Sequence, residues 1–160
     1  MRSGRRQHVF ETEINLPESL SHVFAFFADA QNLEKLTPPW LKFSILTPEP
    51  IWMKVGTLID YRLRIRGIPV DWRTRITAWD PPHRFVDQQV YGPYRLWIHE
   101  HTFHEEVGQT LARDRVEYDV PLSILIHRLF VRRDIERIFA FRHRKLRQVF
   151  ARSCPADRWN

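Results

Sequence analysis

The chain has 160 residues, of which 43% are apolar and 28% are charged. This balance fits one domain with its own hydrophobic core over residues 1–160 and excludes a disordered chain. The single cysteine, Cys154, excludes a disulfide framework and a cysteine-based zinc cage. The net charge of +6 would by itself favour nucleic acid or an anionic membrane as the partner.

The positive charge is concentrated near the C-terminus. Residues 121–160 contain ten Lys or Arg and three Asp or Glu, a net of +7, whereas residues 1–120 have a net of −1. No nucleic-acid-binding motif accompanies this charge, so we expect no specific nucleic-acid partner. Contact of a basic terminal helix with an anionic membrane surface stays open, and so does the oligomeric state.

Short motifs exclude several other classes of protein. The five glycines form neither Gly-x-Gly-x-x-Gly nor a P-loop, so we expect no nucleotide and no other cofactor. The N-terminal residues lack the apolar run of a secretory signal, and the longest apolar stretch, 122–131, is too short to span a bilayer. These features predict a cytoplasmic protein, with a flexible basic tail at 1–6 and a loose tail at 153–160.

The chain begins with a predicted strand and two predicted short helices. Residues 8–16 alternate in polarity, which favours a strand. Leu20, Val23, Phe24 and Phe27 follow at helical spacing and predict a helix over 18–28. A second short helix is predicted over 32–36, and Thr37-Pro38-Pro39 ends it.

Six further strands are predicted in the middle of the chain. Their alternation and turn signals place them at 41–46, 57–66, 70–79, 84–91, 94–104 and 109–120. After Pro121 the spacing becomes helical and predicts one long amphipathic helix that starts within 124–128 and ends at 152. Seven antiparallel strands with segregated helices form an α+β layout, and a curled sheet closed by one long helix encloses an apolar space.

The predicted strand 94–104 carries the most suggestive residues. Trp97, His99, His101 and Phe103 share one face, so the two imidazoles can converge on one point. With Asp87 on the preceding strand, they are candidates for acid–base catalysis. They can equally hold a polar ligand group, or line the core with each histidine satisfied by a neighbour.

A metal site is a further hypothesis for this face. The pattern His99-x-His101-x3-Glu105 resembles part of the first metal motif of cupins. Glu105 is an even number of residues from both histidines, so it would lie on the same face of an extended strand. The glycines that the cupin motifs require are missing, since Gly108 is the last glycine of the chain. His99, His101 and Glu105 therefore stay metal-ligand candidates without a supporting motif.

Other positions are predicted to contact a ligand because they fall on the inward face of a strand or of the terminal helix. The full predicted ligand-binding set is Tyr61, Trp72, Thr74, Phe85, Asp87, Gln89, Trp97, His99, His101, Phe103, Tyr118, Ile135 and Phe139.

Several segments resemble bacterial members of the SRPBCC superfamily, the START/Bet v 1-like group that includes proteins named polyketide cyclase/dehydrase. The resemblance covers about residues 7–152, and the segments that carry it are 80–89, 92–103, 114–121 and 138–142. It implies the helix-grip fold, in which a seven-stranded antiparallel sheet curls around a long C-terminal helix and a hydrophobic cavity lies between them. No catalytic set can be transferred, because the matching positions are pattern residues.

The resemblance also implies the class of function. Members bind hydrophobic or amphipathic molecules such as lipids, isoprenoids and polyketides, and some catalyse aromatic cyclisation or dehydration. We expect binding or transport of such a molecule without turnover. The alternatives are a cyclase or dehydratase that uses His99 and His101 as acid and base, and a metal-dependent enzyme.

Overall fold

The structure, a computed structural model, describes residues 7–121 and 130–151. The predicted tails at 1–6 and 153–160 lie outside these ranges. So does the predicted start of the terminal helix within 124–128.

The described elements follow the predicted order. The strands are β1 (His8–Leu16), β2 (Ser44–Ile45), β3 (Leu58–Ile65), β4 (Ile68–Asp80), β5 (Arg84–Tyr91), β6 (Leu96–Glu106) and β7 (Gln109–Asp119). The helices are α1 (Leu20–Ala28), α2 (Gln31–Leu36) and α3 (Arg132–Ala151), with a single 3₁₀ turn at Pro39–Leu41.

All seven strands form one antiparallel sheet in the order β1-β7-β6-β5-β4-β3-β2. Strands β2 to β7 each pair with the next strand in the chain. The exception is β1, which pairs with β7 and forms one edge of the sheet. This topology, with the long helix across one face, confirms the predicted α+β helix-grip architecture.

The alternation of burial shows which face of the sheet is inward. Along β4, Trp72, Thr74 and Ile76 are buried, whereas Arg73 and Arg75 between them are exposed. Because successive strand side chains point to opposite faces, one face carries the core and the other carries ion pairs in water. The inward face is the one that α3 covers.

Helix α3 packs on the sheet through one stripe. Its buried residues recur every three or four positions, as expected for a helix with one face in the core: Ile135, Phe139, Arg142, Leu146 and Phe150. Four of them are apolar and one is an arginine. Toward the C-terminal end of α3, the aromatic cluster of Phe24, Phe27, Phe103 and Phe150 fills the interior.

The β3–β4 hairpin reaches the other end of α3. Its two-residue turn, Arg66-Gly67, has positive φ at both positions, +51° and +83°, which matches the twist of the flanking strands. The Arg66 guanidinium donates two hydrogen bonds of 3.0 Å to the Asp134 carboxylate and lies 4.5 Å from the Phe130 ring centroid. The turn is thereby fixed against the first turn of α3.

The predicted strand over 41–46 is shorter than expected. The strand covers only Ser44 and Ile45, and Leu46 N donates to Asp60 O of β3 at 2.7 Å just beyond it. The strand does not start earlier because Pro39–Leu41 forms the 3₁₀ turn and Lys42 takes a left-handed conformation with φ of +46°. Among the described residues, no helix is long and apolar enough to cross a membrane. The cytoplasmic location stays a prediction.

Candidate functional site

A cavity of about 790 Å³ lies between the inward face of the sheet and α3, with α2 and the 3₁₀ turn along one side. Its wall has two chemically different parts. One part is a buried cluster of charged and imidazole side chains. The other part is aromatic and aliphatic.

Ten of the thirteen predicted ligand-binding residues line this cavity. They come from five elements that the sequence does not show to be adjacent, namely β3, β4, β5, β6 and α3: Tyr61, Trp72, Thr74, Phe85, Asp87, Trp97, His99, His101, Ile135 and Phe139. Their ligand-binding role stays a prediction.

The other three predicted residues belong to the described part of the chain but lie outside the wall. Gln89 is engaged with the backbone of Tyr94, since its Nε2 donates to Tyr94 O at 2.7 Å and its Oε1 accepts from Tyr94 N at 3.3 Å. Phe103, 1% exposed, packs in the aromatic core. Tyr118 packs behind the wall with Val116 and Ile135. An inward-facing position on a strand is therefore not enough to place a side chain at the cavity: Gln89 is held by the backbone of Tyr94, and Phe103 and Tyr118 are packed in the core.

The two histidines of β6 lie side by side on the wall. Their ring centroids are 3.8 Å apart, and the His101 ring also stacks on Phe85 at 4.2 Å. Asp87 lies opposite on β5, with its Oδ2 3.2 Å from His101 Nε2 and 3.8 Å from His99 Nδ1. The antiparallel register, which pairs Asp87 with His99 and Phe85 with His101, produces this juxtaposition.

A second carboxylate, Asp114 on β7, lies on the other side of the two rings. Asp114 Oδ1 is 2.9 Å from His99 Nε2 and 2.8 Å from His101 Nδ1. The first contact is a hydrogen bond. The second is within ion-pair distance but outside hydrogen-bond geometry, since His101 Nδ1 has no hydrogen-bond partner among the described residues. Asp114 therefore joins both histidines from behind.

Arg142 of α3 completes the cluster. Its Nη2 lies 3.8 Å from Asp114 Oδ1, and its guanidinium carbon is 5.1 Å from the Phe27 ring centroid. Asp114 and Arg142 are 2% and 8% exposed. Neither residue was predicted as a site residue, although both break an apolar pattern. Arg142 falls on the apolar stripe of α3, and Asp114 has the same parity on β7 as Ala112 and Val116.

The structure places one of the three metal-ligand candidates, Glu105, away from the other two. Glu105 has the parity of His99 and His101, but it is exposed near the β6–β7 turn, opposite Thr110. The third donor beside the two imidazoles is Asp87. Asp87, His99 and His101 present ligand atoms that all lie within 4.8 Å of one another. The pattern within one strand pointed to Glu105, whereas the carboxylate that lies beside the two imidazoles belongs to the neighbouring strand.

The pKa values of the two histidines shift in opposite directions. Burial lowers the pKa of His99, and the charge on His101 lowers it further, with Asp114 offsetting only part of the effect. Burial also lowers the pKa of His101, but the Asp114 and Asp87 carboxylates outweigh burial and raise it above its ordinary value. The opposite shifts make His101 the more basic member of the pair and His99 the less basic one.

The two carboxylates remain ionised despite their burial. Burial raises the pKa of Asp114, but the Arg142 charge and the two histidines outweigh it and hold that pKa well below the usual range. Burial likewise raises the pKa of Asp87, and His101, His99 and Thr74 together lower it. The two anions, Asp114 and Asp87, then face the Arg142 guanidinium and the two imidazoles. A buried charge is tolerated only with such pairing.

The rest of the wall is aromatic. Tyr61 and Trp72 stack at 5.9 Å, and Trp97 meets Trp72 edge to face at 5.4 Å. Trp72 Nε1 is buried without a hydrogen-bond partner among the described residues. Burial raises the pKa of Tyr61 well above its ordinary value, and the Asp87 charge adds to that, so the hydroxyl stays protonated. This part offers flat apolar surface with isolated donors.

The comparison with protein families decides the assignment. A family described as "Polyketide cyclase / dehydrase and lipid transport" matches residues 16–141. The chain belongs to this family. That result confirms the resemblance given by the segments 80–89 and 92–103.

Solved structures share the fold of this family member. An aromatase/cyclase, Zhui, from Streptomyces sp. R1128 is 14% identical and superposes with a TM-score of 0.73 over 94% of this chain and 98% of that one. The ginseng major latex-like protein 151 from Panax ginseng is 11% identical, with a TM-score of 0.66 over 90% and 97%. A START superfamily protein from Mycobacterium smegmatis is 12% identical, with a TM-score of 0.65 over 89% and 99%.

At these identities the superpositions establish the fold alone. No protein of curated function matches the sequence.

Proposed function

We propose that this protein binds one amphipathic small molecule in the cavity between the sheet and α3. The observation that supports this most directly is the two-part wall. The apolar body of a ligand would lie against Tyr61, Trp72 and Trp97, and its polar group would meet His99, His101 and Arg142. A cavity of about 790 Å³ is within the range of small-molecule sites, which are mostly apolar with a few convergent polar groups.

The entrance to the cavity fits the same proposal. Trp40 and Phe130 line the cavity but are 46% and 42% exposed, so they lie where it meets solvent. Phe130 is held by the Arg66 guanidinium, and Trp40 packs edge to face on Phe141 at 5.7 Å. Exposed aromatic side chains at the entrance present apolar surface to a ligand that enters from water.

Titration with 1-anilinonaphthalene-8-sulfonate, which combines apolar rings with one anionic group, tests the proposal. We expect saturable binding at one site, with energy transfer from tryptophan to the bound dye as the measured signal. Ile138→Trp adds an indole to the wall and should abolish binding. The matched control, Ile68→Trp, adds the same group at a 67% exposed position outside the wall and should bind as wild type does. Equal binding by all three proteins would refute the proposal.

A second candidate function is a cyclase or dehydratase that acts on a polyketide-like substrate. The observation in its favour is that both imidazoles and the Asp87 carboxylate lie on the wall, where they can reach a bound ligand. Acid–base groups that face an apolar cavity can remove a proton from an activated carbon and deliver one to a departing hydroxyl, with water as the product.

Mass spectrometry distinguishes turnover from binding. The protein is incubated with an aromatic β-polyketone, and loss of water is followed by liquid chromatography. His99→Gln and His101→Gln should abolish the dehydrated product while the proteins still bind 1-anilinonaphthalene-8-sulfonate. Binding of the substrate without any product would favour the carrier function.

Membrane contact through α3 stays a separate proposal. Five arginines of this helix, Arg132, Arg133, Arg137, Arg144 and Arg147, are exposed. Anionic lipid headgroups attract such a basic face at low salt. We expect co-sedimentation with phosphatidylglycerol vesicles that phosphatidylcholine vesicles do not reproduce, and equal partition between the two would refute the contact.

A further inference from the structure

We infer that Asp87, His99 and His101 form a binding site for a divalent transition-metal ion at the polar end of the cavity. The inference goes beyond the proposed ligand binding and does not depend on which small molecule the cavity accepts. It rests on the position of the donor atoms and on the residues behind them.

The three donors converge from two adjacent strands. Asp87 Oδ2 lies 3.2 Å from His101 Nε2 and 3.8 Å from His99 Nδ1. Nitrogen and oxygen ligands of one ion at about 2.0–2.2 Å lie roughly 3–3.5 Å apart. The Asp87–His101 distance falls in this range, and all three donor atoms lie within 4.8 Å of one another, so an ion would require the side chains to move closer together.

Two of the three donors have a hydrogen-bonded group behind them that sets their orientation. His99 Nε2 is hydrogen-bonded to Asp114 Oδ1 at 2.9 Å, whereas His101 Nδ1 lies 2.8 Å from the same oxygen outside hydrogen-bond geometry. Asp87 Oδ1 accepts a hydrogen bond of 3.2 Å from Thr74 Oγ1, which leaves Oδ2 directed at the histidines. Metal-bound histidines commonly donate their second nitrogen to a carboxylate, and such partners fix the ring and raise its basicity.

The charge of the cluster suits a divalent ion. Asp87 and Asp114 supply two negative charges, and Arg142 supplies one positive charge beside Asp114. A metal ion would replace the hydrogen that joins Asp87 to His101, so both imidazoles would be neutral ligands. Two histidines and one carboxylate on one side of an ion leave positions open toward the cavity, as in zinc hydrolases and non-haem iron sites.

Isothermal titration with Zn²⁺ against a competing chelator tests the inference in metal-free protein. We expect one ion per chain, and Co²⁺ should give the visible absorption of a protein-bound ion. His99→Gln and Asp87→Asn should each weaken binding by more than about 100-fold. Thr74→Val, which removes only the positioning hydrogen bond, should weaken it by about 10-fold.

Two matched controls lie on the same strand. Glu105→Gln removes the carboxylate that the sequence pattern favours, and His104→Gln removes an exposed imidazole; both should bind as wild type does. Circular dichroism of each variant checks the fold, and the wild-type titration does not depend on any variant. The inference is overturned if wild type binds no tighter than the His99→Gln/His101→Gln double variant, or if Glu105 matters and Asp87 does not.

Discussion

The two faces of the sheet use the same kinds of charged residue for different purposes. On the outer face, Arg73 forms a bidentate pair with Asp60 at 2.6 and 2.9 Å, and both side chains are more than a third exposed. On the inner face, Asp114 and Arg142 are over 90% buried and share their charges with two histidines. The difference lies in burial, not in residue type. When an exposed ion pair is broken, water can solvate the charges, whereas the charges of a buried pair would be left without a partner.

The largest effect is expected from Asp114→Ala. Removal of this carboxylate leaves the buried Arg142 without its counter-charge, and breaking a buried pair from one side costs about 3–5 kcal/mol. Urea denaturation at pH 7 measures the loss in the free energy of unfolding. A loss below 1 kcal/mol would show that the inner cluster is no more important than the outer pairs.

The next effect concerns the wall rather than stability. Trp97 packs against Trp72 at 5.4 Å and Tyr94 at 4.8 Å on the cavity surface. Trp97→Ala should weaken binding of 1-anilinonaphthalene-8-sulfonate by about 10-fold or more, a typical loss for a truncated aromatic contact. Phe103→Leu is the control, since it changes the core behind the wall and should leave the affinity within about threefold. Equal losses of affinity in both variants would mean that the cavity wall contributes no more to binding than the core behind it.

A smaller effect is expected for the pH dependence of stability at His143, which lies beside β1 with its Nε2 3.5 Å from Thr12 Oγ1. Burial lowers the pKa of His143, Asp114 offsets part of this, and Arg147 and Arg142 add to the lowering. The unfolded state then binds the proton more readily, so stability falls as the pH decreases below about 6.5 toward the folded-state pKa.

The variant His143→Gln should lose less stability than wild type between pH 7.5 and 5.5, as measured by urea midpoints at both values. Identical pH dependence in the two proteins would contradict the assignment of a lowered pKa to this histidine.

The smallest effect is expected on the outer face. Arg73→Gln removes the pair with Asp60, but exposed pairs contribute only about 0.2–1 kcal/mol and are screened by salt. The urea midpoint should change little, and less still at high salt. A loss as large as that of Asp114→Ala would remove the distinction between the two faces.

The sequence was sufficient to predict the fold. Strand β5 was predicted at its observed bounds, and the inward parity of Trp72, His99 and His101 was correct, because burial on one face imposes a period of two. The predicted strand at 41–46 was too long. Its residues are compatible with a strand, but a 3₁₀ turn and a left-handed Lys42 leave only two residues to pair.

The site was predicted only in part. Alternation along one strand brought His99 and His101 together, and Asp87 on the preceding strand was already a candidate. The sequence could not decide between Asp87 and Glu105 as their neighbour, since that depends on the register between β5 and β6. Asp114 and Arg142 come from opposite sides of the cavity, and only the packing of α3 on the sheet joins them. In the sequence, both are charged residues at positions where the pattern expects an apolar one. Because burial of an unpaired charge is so costly, such a residue indicates a buried partner of opposite charge.

Native mass spectrometry with solvent extraction tests the central claim, that the two-part cavity holds one amphipathic molecule. The protein is purified from cells, offered a bacterial lipid and metabolite extract in excess, and compared with Ile138→Trp. We expect one small molecule per chain, with an apolar body and a polar group, that the Ile138→Trp variant does not retain. Only ligand-free protein after exposure to the extract, or the same bound mass in the variant, would contradict it.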